Sequence, residues 1–484
     1  MVRRLLLLLL LSSQVQAAPA DLTCKPNITL SQKDVAELIL KQGRRTQEIN
    51  LQYQQLRLSV AQSLAAYQWN LTASTGYLFD KSVGLQSSTF DKTENLVSQV
   101  LLSKSFTTGT TASVEYKRSS FKGDPNANTG GTPRTVATQD LLGLNIYQNI
   151  WANFFGIADR GETDAAELNY KSTAILRTNE LENTVLDAIR AFWTAYVSEQ
   201  NFKEAVASRD RSKKLMDAVK KKSGFGYANP GELSQAQAEY EVRVQDVKTF
   251  STAYLRDLDT LNTLLTLPVN CDVKFSVSNV IPTLPQLPEK SVQDLRIIRS
   301  EKLRVQAAER AYDAAKSRDA PTLQLVGKIY SYGVEDDGSG AYSDMVSGAH
   351  PQYYAGLQFQ YLFGVDLLSE TRLNRKYAKE LEEVRLSRVT QESEDLQAQA
   401  QRRVQTTYSA VLSAVEEKKF REKALQELTR SFNQGRTDIN IYIDAMNKYS
   451  ASEIRHSLAI GNYQTALNEW AATRDELIPD AQEE

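Results

Sequence analysis

Residues 181–196 read Leu-Glu-Asn-Thr-Val-Leu-Asp-Ala-Ile-Arg-Ala-Phe-Trp-Thr-Ala-Tyr. Within them Leu181, Val185, Ile189, Phe192 and Tyr196 recur at steps of 4, 4, 3 and 4. That is the narrow seam of a coiled coil rather than the broad stripe of a globular surface helix. The helical pattern extends outward from about Asn153 to Lys222. A helix of roughly 65 residues at ~1.5 Å each reaches ~100 Å, a length that needs neighbouring helices to bury one stripe.

The same text recurs downstream. Arg190-Ala-Phe-Trp-Thr-Ala-Tyr196 aligns with Arg402-Arg-Val-Gln-Thr-Thr-Tyr408, and Gln148 with Gln360, each 212 residues later (196 to 408, 148 to 360). Gly226 aligns with Gly435 and Ala236 with Ala445, 209 residues later (226 to 435). Val404, Tyr408, Val411 and Val415 keep the seam at steps of 4, 3 and 4. Shorter helical patterns run from about Ser31 to Ala66 and from Glu232 to about Leu265. A Pro-rich stretch holding Pro268, Cys271, Pro282, Pro285 and Pro288 separates the copies. The expected organisation is an internal duplication: a helix–β–helix repeat over 18–267, a linker over 268–289, a second repeat over 290–474 and an acidic tail over 475–484.

Between the helices the period falls from 3.6 to 2. Trp69, Leu71, Ala73, Thr75, Tyr77 and Phe79 alternate with Asn70, Thr72, Ser74 and Gly76, and Ala112, Val114 and Tyr116 with Ser113 and Glu115. In the second copy Leu323, Leu325 and Ile329 alternate with Gln324 and Lys328, and Leu357, Phe359 and Tyr361 with Gln358 and Gln360. One apolar and one polar face over about ten residues is the pattern of a membrane β-barrel strand and also of a half-buried soluble strand. Trp69, Phe79, Trp151, Tyr332 and Phe363 flank these runs as an interfacial aromatic girdle would. Lys122-Gly-Asp-Pro125 and Glu335-Asp-Asp-Gly-Ser-Gly340 read as loops. Copy one carries an extra hairpin, Asn95 to Arg118, folded at Thr107-Thr108-Gly109. If it enters the membrane, the chain supplies six strands; if it projects outward, four. Neither number closes a barrel with a lumen, so the barrel would be shared between subunits.

The chain starts with Arg3-Arg4, seven leucines from Leu5 to Leu11 and Val15-Gln16-Ala17, which predicts a secretory signal peptide over 1–17. Seven leucines are too few for a membrane-spanning helix, and a mean hydropathy of −0.42 fits the absence of any later one. The 484 residues carry 57 Lys+Arg against 59 Asp+Glu, so there is no basic footprint for nucleic acid. Only two His and two Cys argue against a metal cluster or a His-based catalytic centre; neither an enzyme nor a cofactor is expected. An exported chain meets an oxidising compartment, where Cys24 and Cys271 could bridge or stay as two free thiols.

Phe432-Asn-Gln-Gly435-Arg-Thr-Asp-Ile439 leads into Tyr442-Ile-Asp444-Ala445, while Gly226 precedes Gly231-Glu-Leu-Ser-Gln-Ala236. With the duplication and Pro321 before the Leu323 strand, this ordered set resembles the TolC-type outer-membrane efflux protein family, the outer membrane factors, over essentially the whole mature chain. The resemblance implies a mixed α and β membrane protein: a homotrimer with one shared transmembrane β-barrel in outer-membrane lipid and a periplasmic α-barrel of long coiled-coil helices. It implies a conduit for efflux or type I secretion, working with a periplasmic adaptor protein and an inner-membrane transporter. Gly226 and Gly435 would turn the periplasmic tips, and Asp444 would ring the pore constriction. Three departures are visible. Ile441 stands at the family's other acidic position, Arg436 lies one residue out of register with the gate-holding Arg, and Phe432 replaces a Tyr. A periplasmic coiled-coil adaptor or structural protein is the competing reading, and the sequence does not name a substrate.

Overall fold

The computed structural model describes residues 28–82, 90–126, 133–268, 271–277, 284–288, 290–361 and 367–479. The expected signal peptide, Cys24, Pro282, Phe363 and the last five residues lie outside these. In chain order the elements are β1 (Ile28–Leu30), α1 (Gln32–Gln42), α2 (Arg44–Ser63), β2 (Trp69–Asp80), β3 (Phe90–Ser105), β4 (Thr110–Pro125) and β5 (Val136–Asn149). Then come α3 (Ile157–Gly224), α4 (Glu232–Leu264), β6 (Val273–Phe275), α5 (Arg296–Arg318), β7 (Thr322–Glu335), α6 (Gly338–Ser347), β8 (His350–Gln360), α7 (Leu367–Asn433) and α8 (Ile439–Ala472). None of the described helices is long and apolar enough to cross a membrane. The chain divides into two units, residues 53–175 with 298–389, and residues 1–52 with 176–297 and 390–484.

The first unit holds a six-stranded antiparallel sheet in the order β2-β3-β4-β5-β7-β8. The expected hairpin pairs as β3 with β4 and lies in the middle of the sheet, so the described strands number six in one ladder rather than four. Register puts Trp69, Lys104, Ala112, Ile146 and Gly327 in one row, and Leu71, Leu102, Val114, Leu144 and Ile329 in the next. Successive side chains alternate between faces. One face therefore carries Leu71 (67% exposed), Val100, Val114, Leu144, Ile329, Tyr353 and Leu357 (66%), all open to the surroundings. The other face is polar: Gln99 Nε2 donates to Glu115 Oε1 at 2.8 Å and Tyr330 Oη to Asn145 Oδ1 at 2.8 Å.

Helix α6 corrects the sequence reading, which took Glu335–Gly340 as loop. Asp337 caps it, its Oδ1 accepting from the amides of Ser339 and Gly340 at 2.8 Å each. The sequence around it is rich in Gly and Ser, which masks helical propensity. Asn153 caps α3 in a comparable way from outside the helix, its Oδ1 accepting from Ala158 N at 2.9 Å. Elsewhere in this unit Tyr53 stacks on Tyr170 with centroids 5.4 Å apart, and the buried Ser172 and Ser300 hydroxyls meet at 2.8 Å.

The second unit is helical around the parallel pair β1–β6. The Ser31–Ala66 helix of the sequence reading breaks at Gly43, where α1 ends and Thr46 Oγ1 donates to the Ile39 carbonyl at 2.7 Å. Burial on α3 also differs from the expected narrow seam. Val185, Leu186, Ala188, Ile189, Phe192, Trp193, Ala195 and Val197 are all buried, because α1, α4 and the β1–β6 pair pack around that stretch. Farther along, Ala205, Ser208, Ser212, Leu215 and Val219 are buried at steps of 3, 4, 3 and 4, the narrow pattern.

A buried ion pair fastens the end of the chain. Glu182 and Arg296, 1% exposed each, meet at 2.8 Å; Leu477 N donates to Glu182 Oε1 at 2.8 Å and Arg296 N to Asp475 Oδ2 at 2.6 Å. Removing one member of such a pair strands the other without solvent, whereas replacing both by apolar groups does not. Glu182→Leu is expected to cost about 3–5 kcal/mol. Glu182→Leu with Arg296→Met should recover most of that, measured as midpoints of denaturant unfolding in detergent.

Candidate functional site

The duplicated Gly positions fall where two helix pairs reverse. α3 runs into α4 at Gly224–Gly231 and α7 into α8 at Gln434–Asp438. Both first helices end in the same motif. Gly226 has φ +79° and donates to the Ser223 carbonyl at 2.9 Å, while Tyr227 donates to Lys222 at 3.0 Å. Gly435 has φ +76° and donates to Phe432 at 2.9 Å, while Arg436 donates to Ser431 at 3.0 Å. These are Schellman turns, in which a left-handed residue satisfies the last carbonyls of the helix. An L side chain at positive φ is disfavoured, so glycine is the residue the geometry selects.

The helix starts differ. At α8 the Asp438 carboxylate accepts from Asn440 N at 2.8 Å, and Thr437 Oγ1 donates to Ser431 Oγ at 2.6 Å. At α4 the N-cap is Gly231, and the buried Glu232 sits in the first turn, where a carboxylate complements the helix dipole. It is held by Asn229 Nδ2 at 2.7 Å and Lys222 Nζ at 3.2 Å. Lys222, at the end of α3, is thus a structural partner of the first turn of α4. Gln235 Nε2 donates to Asn440 Oδ1, linking α4 to α8.

The predicted constriction residues divide into two sets. Phe432 is half-buried and stacks on Tyr442, rings parallel within 10° and 4.7 Å apart. Thr429 Oγ1 lies 3.4 Å from the Tyr442 hydroxyl. Both aromatics pack on a core of Leu215, Val219, Ala236, Leu425, Ile439 and Met446. Ile441 and Asp444 instead point outward, Ile441 53% exposed and the Asp444 side chain 57%. Arg436 is exposed in the turn itself.

Two features escaped sequence reading. Asp444 Oδ2 pairs with Lys448 Nζ at 2.7 Å, one helical turn on, so Ile441, Asp444 and Lys448 share one exposed face. The i, i+4 spacing of an acid and a base was available in the sequence as a signal. The second is a polar ladder from α3 to α8. Ser450 Oγ donates to Glu204 Oε1 at 2.7 Å, Arg211 bonds the same carboxylate and covers the Tyr449 ring, and Tyr449 Oη donates to Glu453 at 2.6 Å. Burial next to Glu453 and Glu204 pushes the Tyr449 hydroxyl far above its ordinary range, keeping it a neutral donor. Its partners are distant in sequence, and no local spacing announces them.

No protein-family model matches the chain, and no curated protein matches it in sequence. Its three-dimensional likenesses are to outer-membrane channels. The CmeC channel of Campylobacter jejuni aligns at TM-score 0.71 and 13% identity, covering 93% of this chain and 87% of that one. The outer membrane protein VceC of Vibrio cholerae aligns at 0.66 and 12%, covering 92% and 96%. The open-state MtrE channel of Neisseria gonorrhoeae aligns at 0.64 and 14%, covering 92% and 90%. The chain has the TolC-type outer membrane factor fold.

Alanine at a left-handed position costs about 1–2 kcal/mol. Gly435→Ala is therefore expected to lower the unfolding free energy by about that amount. Gln434→Ala, beside it, should leave the denaturant midpoint nearly unchanged.

Proposed function

We propose that this chain is one protomer of a homotrimeric outer-membrane channel. It carries substrates from an inner-membrane transporter, through a periplasmic adaptor, to the exterior. The resemblance of the tip and junction motifs to the TolC-type family makes efflux or type I secretion the proposed service. The observation that carries the reading is the sheet. One face carries exposed Leu, Val, Ile and aromatic side chains from β2 to β8, giving way to the Arg118–Asp140 pair and α6 at one end, the other is largely polar, and the edge strands β2 and β8 have no neighbours beyond them in the described sheet. A hydrocarbon-facing surface with a polar reverse side is how a barrel wall is built. Open edges with unsatisfied N–H and C=O groups need further strands to persist in lipid.

In this reading the first 17 residues are a signal peptide, and the helical units extend into the periplasm with the Gly226 and Gly435 turns at their tips. The order of elements, helix, strands, very long helix and shorter helix, twice over, supports an internal duplication separated by the Pro-rich linker. Cys271 is buried, with Asn262 Nδ2 donating to its carbonyl at 3.1 Å, and its bridge would go to Cys24.

The constriction would be lined by Ile441, Asp444 and Lys448, with Phe432 behind them and Arg436 at the turn. A lone ring of aspartates would attract cations. A lysine on each Asp444 carboxylate offsets that ring, so the constriction would be close to neutral. Exposed pairs contribute about 0.2–1 kcal/mol, equivalent to about 1.5- to 5-fold in a preference.

Single-channel recording of the full-length protein in planar bilayers tests both levels. Lys448→Ala should raise cation preference and divalent block by about two- to fivefold. Asp444→Ala should shift selectivity the opposite way. Channels indifferent to both substitutions would remove these residues from the constriction and keep the channel. Protein that stays soluble without detergent and never inserts would replace the reading with a periplasmic coiled-coil adaptor.

A further inference from the structure

Resting on the channel reading, we propose that the β3–β4 hairpin is a membrane-spanning part of the pore wall. Three copies then close an eighteen-stranded barrel, six strands each, by pairing β2 of one copy with β8 of the next. The occupant of both open edges is therefore a second copy of this chain. β2 runs antiparallel to β3 and β8 antiparallel to β7, with the alternation unbroken across all six strands, so β2 and β8 run in opposite directions. The two edges also match in length, at 12 and 11 residues. Head-to-tail closure therefore continues an antiparallel ladder and leaves no edge.

Four observations place the hairpin in the wall. It is interior to the sheet: β3 pairs with β2 from Lys104 to Thr93 and β4 with β5 from Thr110 to Lys122, and nothing else joins β2 to β5. Its apolar face is continuous with that of its neighbours, Leu96, Val100, Leu102 and Val114 lying between Leu71 and Leu144. Its polar face carries Gln99, Ser113, Glu115 and Lys117 toward Asn145.

The turn, Phe106–Gly109, is built into the strand-to-helix junction. Asn149 N donates to the Gly109 carbonyl and Gln148 Nε2 to that of Thr108, both at 3.1 Å. A side chain on Gly156 would overlap the Thr107–Thr108 backbone, so that glycine is what lets the hairpin turn seat. At the other end Arg118 on β4 pairs with the fully buried Asp140 of β5 at 2.6 Å and donates to the Gly338 carbonyl of α6 at 2.8 Å.

The fourth observation is a pair of belts. Lys104 lies 5.2 Å over Trp69 and 5.1 Å over Phe106 at the turn end, and Lys92 lies 5.2 Å over Phe79 at the far end. Aromatic rings with lysines that reach past them mark the two water boundaries of a bilayer. From Trp69 to Phe79 the strand rises about 33 Å, or about 25 Å along a membrane normal at a tilt of about 40°, the height of an outer-membrane apolar band. Three of the five side chains in these belts, Lys92, Lys104 and Phe106, belong to the hairpin itself or its turn.

With strands about 4.8 Å apart and tilted about 40°, eighteen strands give a backbone diameter of about 36 Å, against about 24 Å for twelve. The hairpin therefore widens the outer-membrane passage by about half, room for a bulkier cargo than a twelve-stranded wall admits.

Electron cryomicroscopy of the full-length protein in lipid nanodiscs counts the strands. Eighteen supports the proposal; twelve, with β3–β4 standing outside the wall, overturns it and leaves the channel reading intact; no barrel removes that reading as well. Leu102→Arg and Ser103→Arg provide a second measurement, since the two neighbours face opposite ways. The first is expected to reduce detergent-resistant, membrane-integrated trimer about tenfold or more and the second to leave it within about twofold. Equal responses of the two variants would overturn the assignment of faces.

Discussion

The peptide groups of the six-stranded sheet depend on neighbouring strands for nearly all of their hydrogen bonds, and the unit that holds the sheet is built on that dependence. Each interior strand is paired on both sides along most of its length, and β2 and β8 keep an open side in the described sheet. In water an open edge is tolerable. In hydrocarbon it is not, because an unpaired N–H or C=O finds no solvent to replace the missing partner. The apolar field and the open edges are the two features of the sheet on which the proposed closure among copies of the chain rests.

The helical parts meet a different demand with two packing solutions. Where α1, α4 and the β1–β6 pair surround α3, the buried surface is broad and includes Phe192 and Trp193 edge to face, 5.5 Å apart. Toward the tip the same helix narrows to the small and aliphatic seam Ala205, Ser208, Ser212, Leu215 and Val219. A helix too long for one core can change its mode of burial along its length, and this one does so without a break in its backbone. The clamp formed by Glu182, Arg296, Asp475 and Leu477 ties the end of the chain to the broad part.

Much of this could be read from residue order. Period 2 located β2, β4, β7 and β8 but not β5, and the hairpin turn at Thr107–Gly109 fell where Gly and Thr interrupt the alternation. The tips were legible because a left-handed C-terminal turn selects glycine, and the glycine is present twice. What escaped was set by tertiary neighbours. β1 and β6 have three residues each, too short for a periodic signal, and pair across more than two hundred positions. Helix α6 hides in a Gly- and Ser-rich run because its stability comes from Asp337 and from packing on the sheet. The breadth of burial on α3 depends on how many elements surround it, which a heptad count along one helix does not contain. Lys448 lies one helical turn beyond Asp444, a pairing that the four-residue spacing contains but that Asp444 taken as a lone charge does not.

The two tips share one turn but differ in where their order comes from. α8 begins on a carboxylate two residues from the amide it holds, so its first turn carries its own fastening. α4 begins on a glycine and borrows its fastening from Lys222, at the end of α3. Loosening the end of α3 therefore loosens the start of α4 with it, and the pair opens as one cooperative segment. One glycine turn thus serves two helix starts, one capped by its own carboxylate and one held in part from the end of the helix before it.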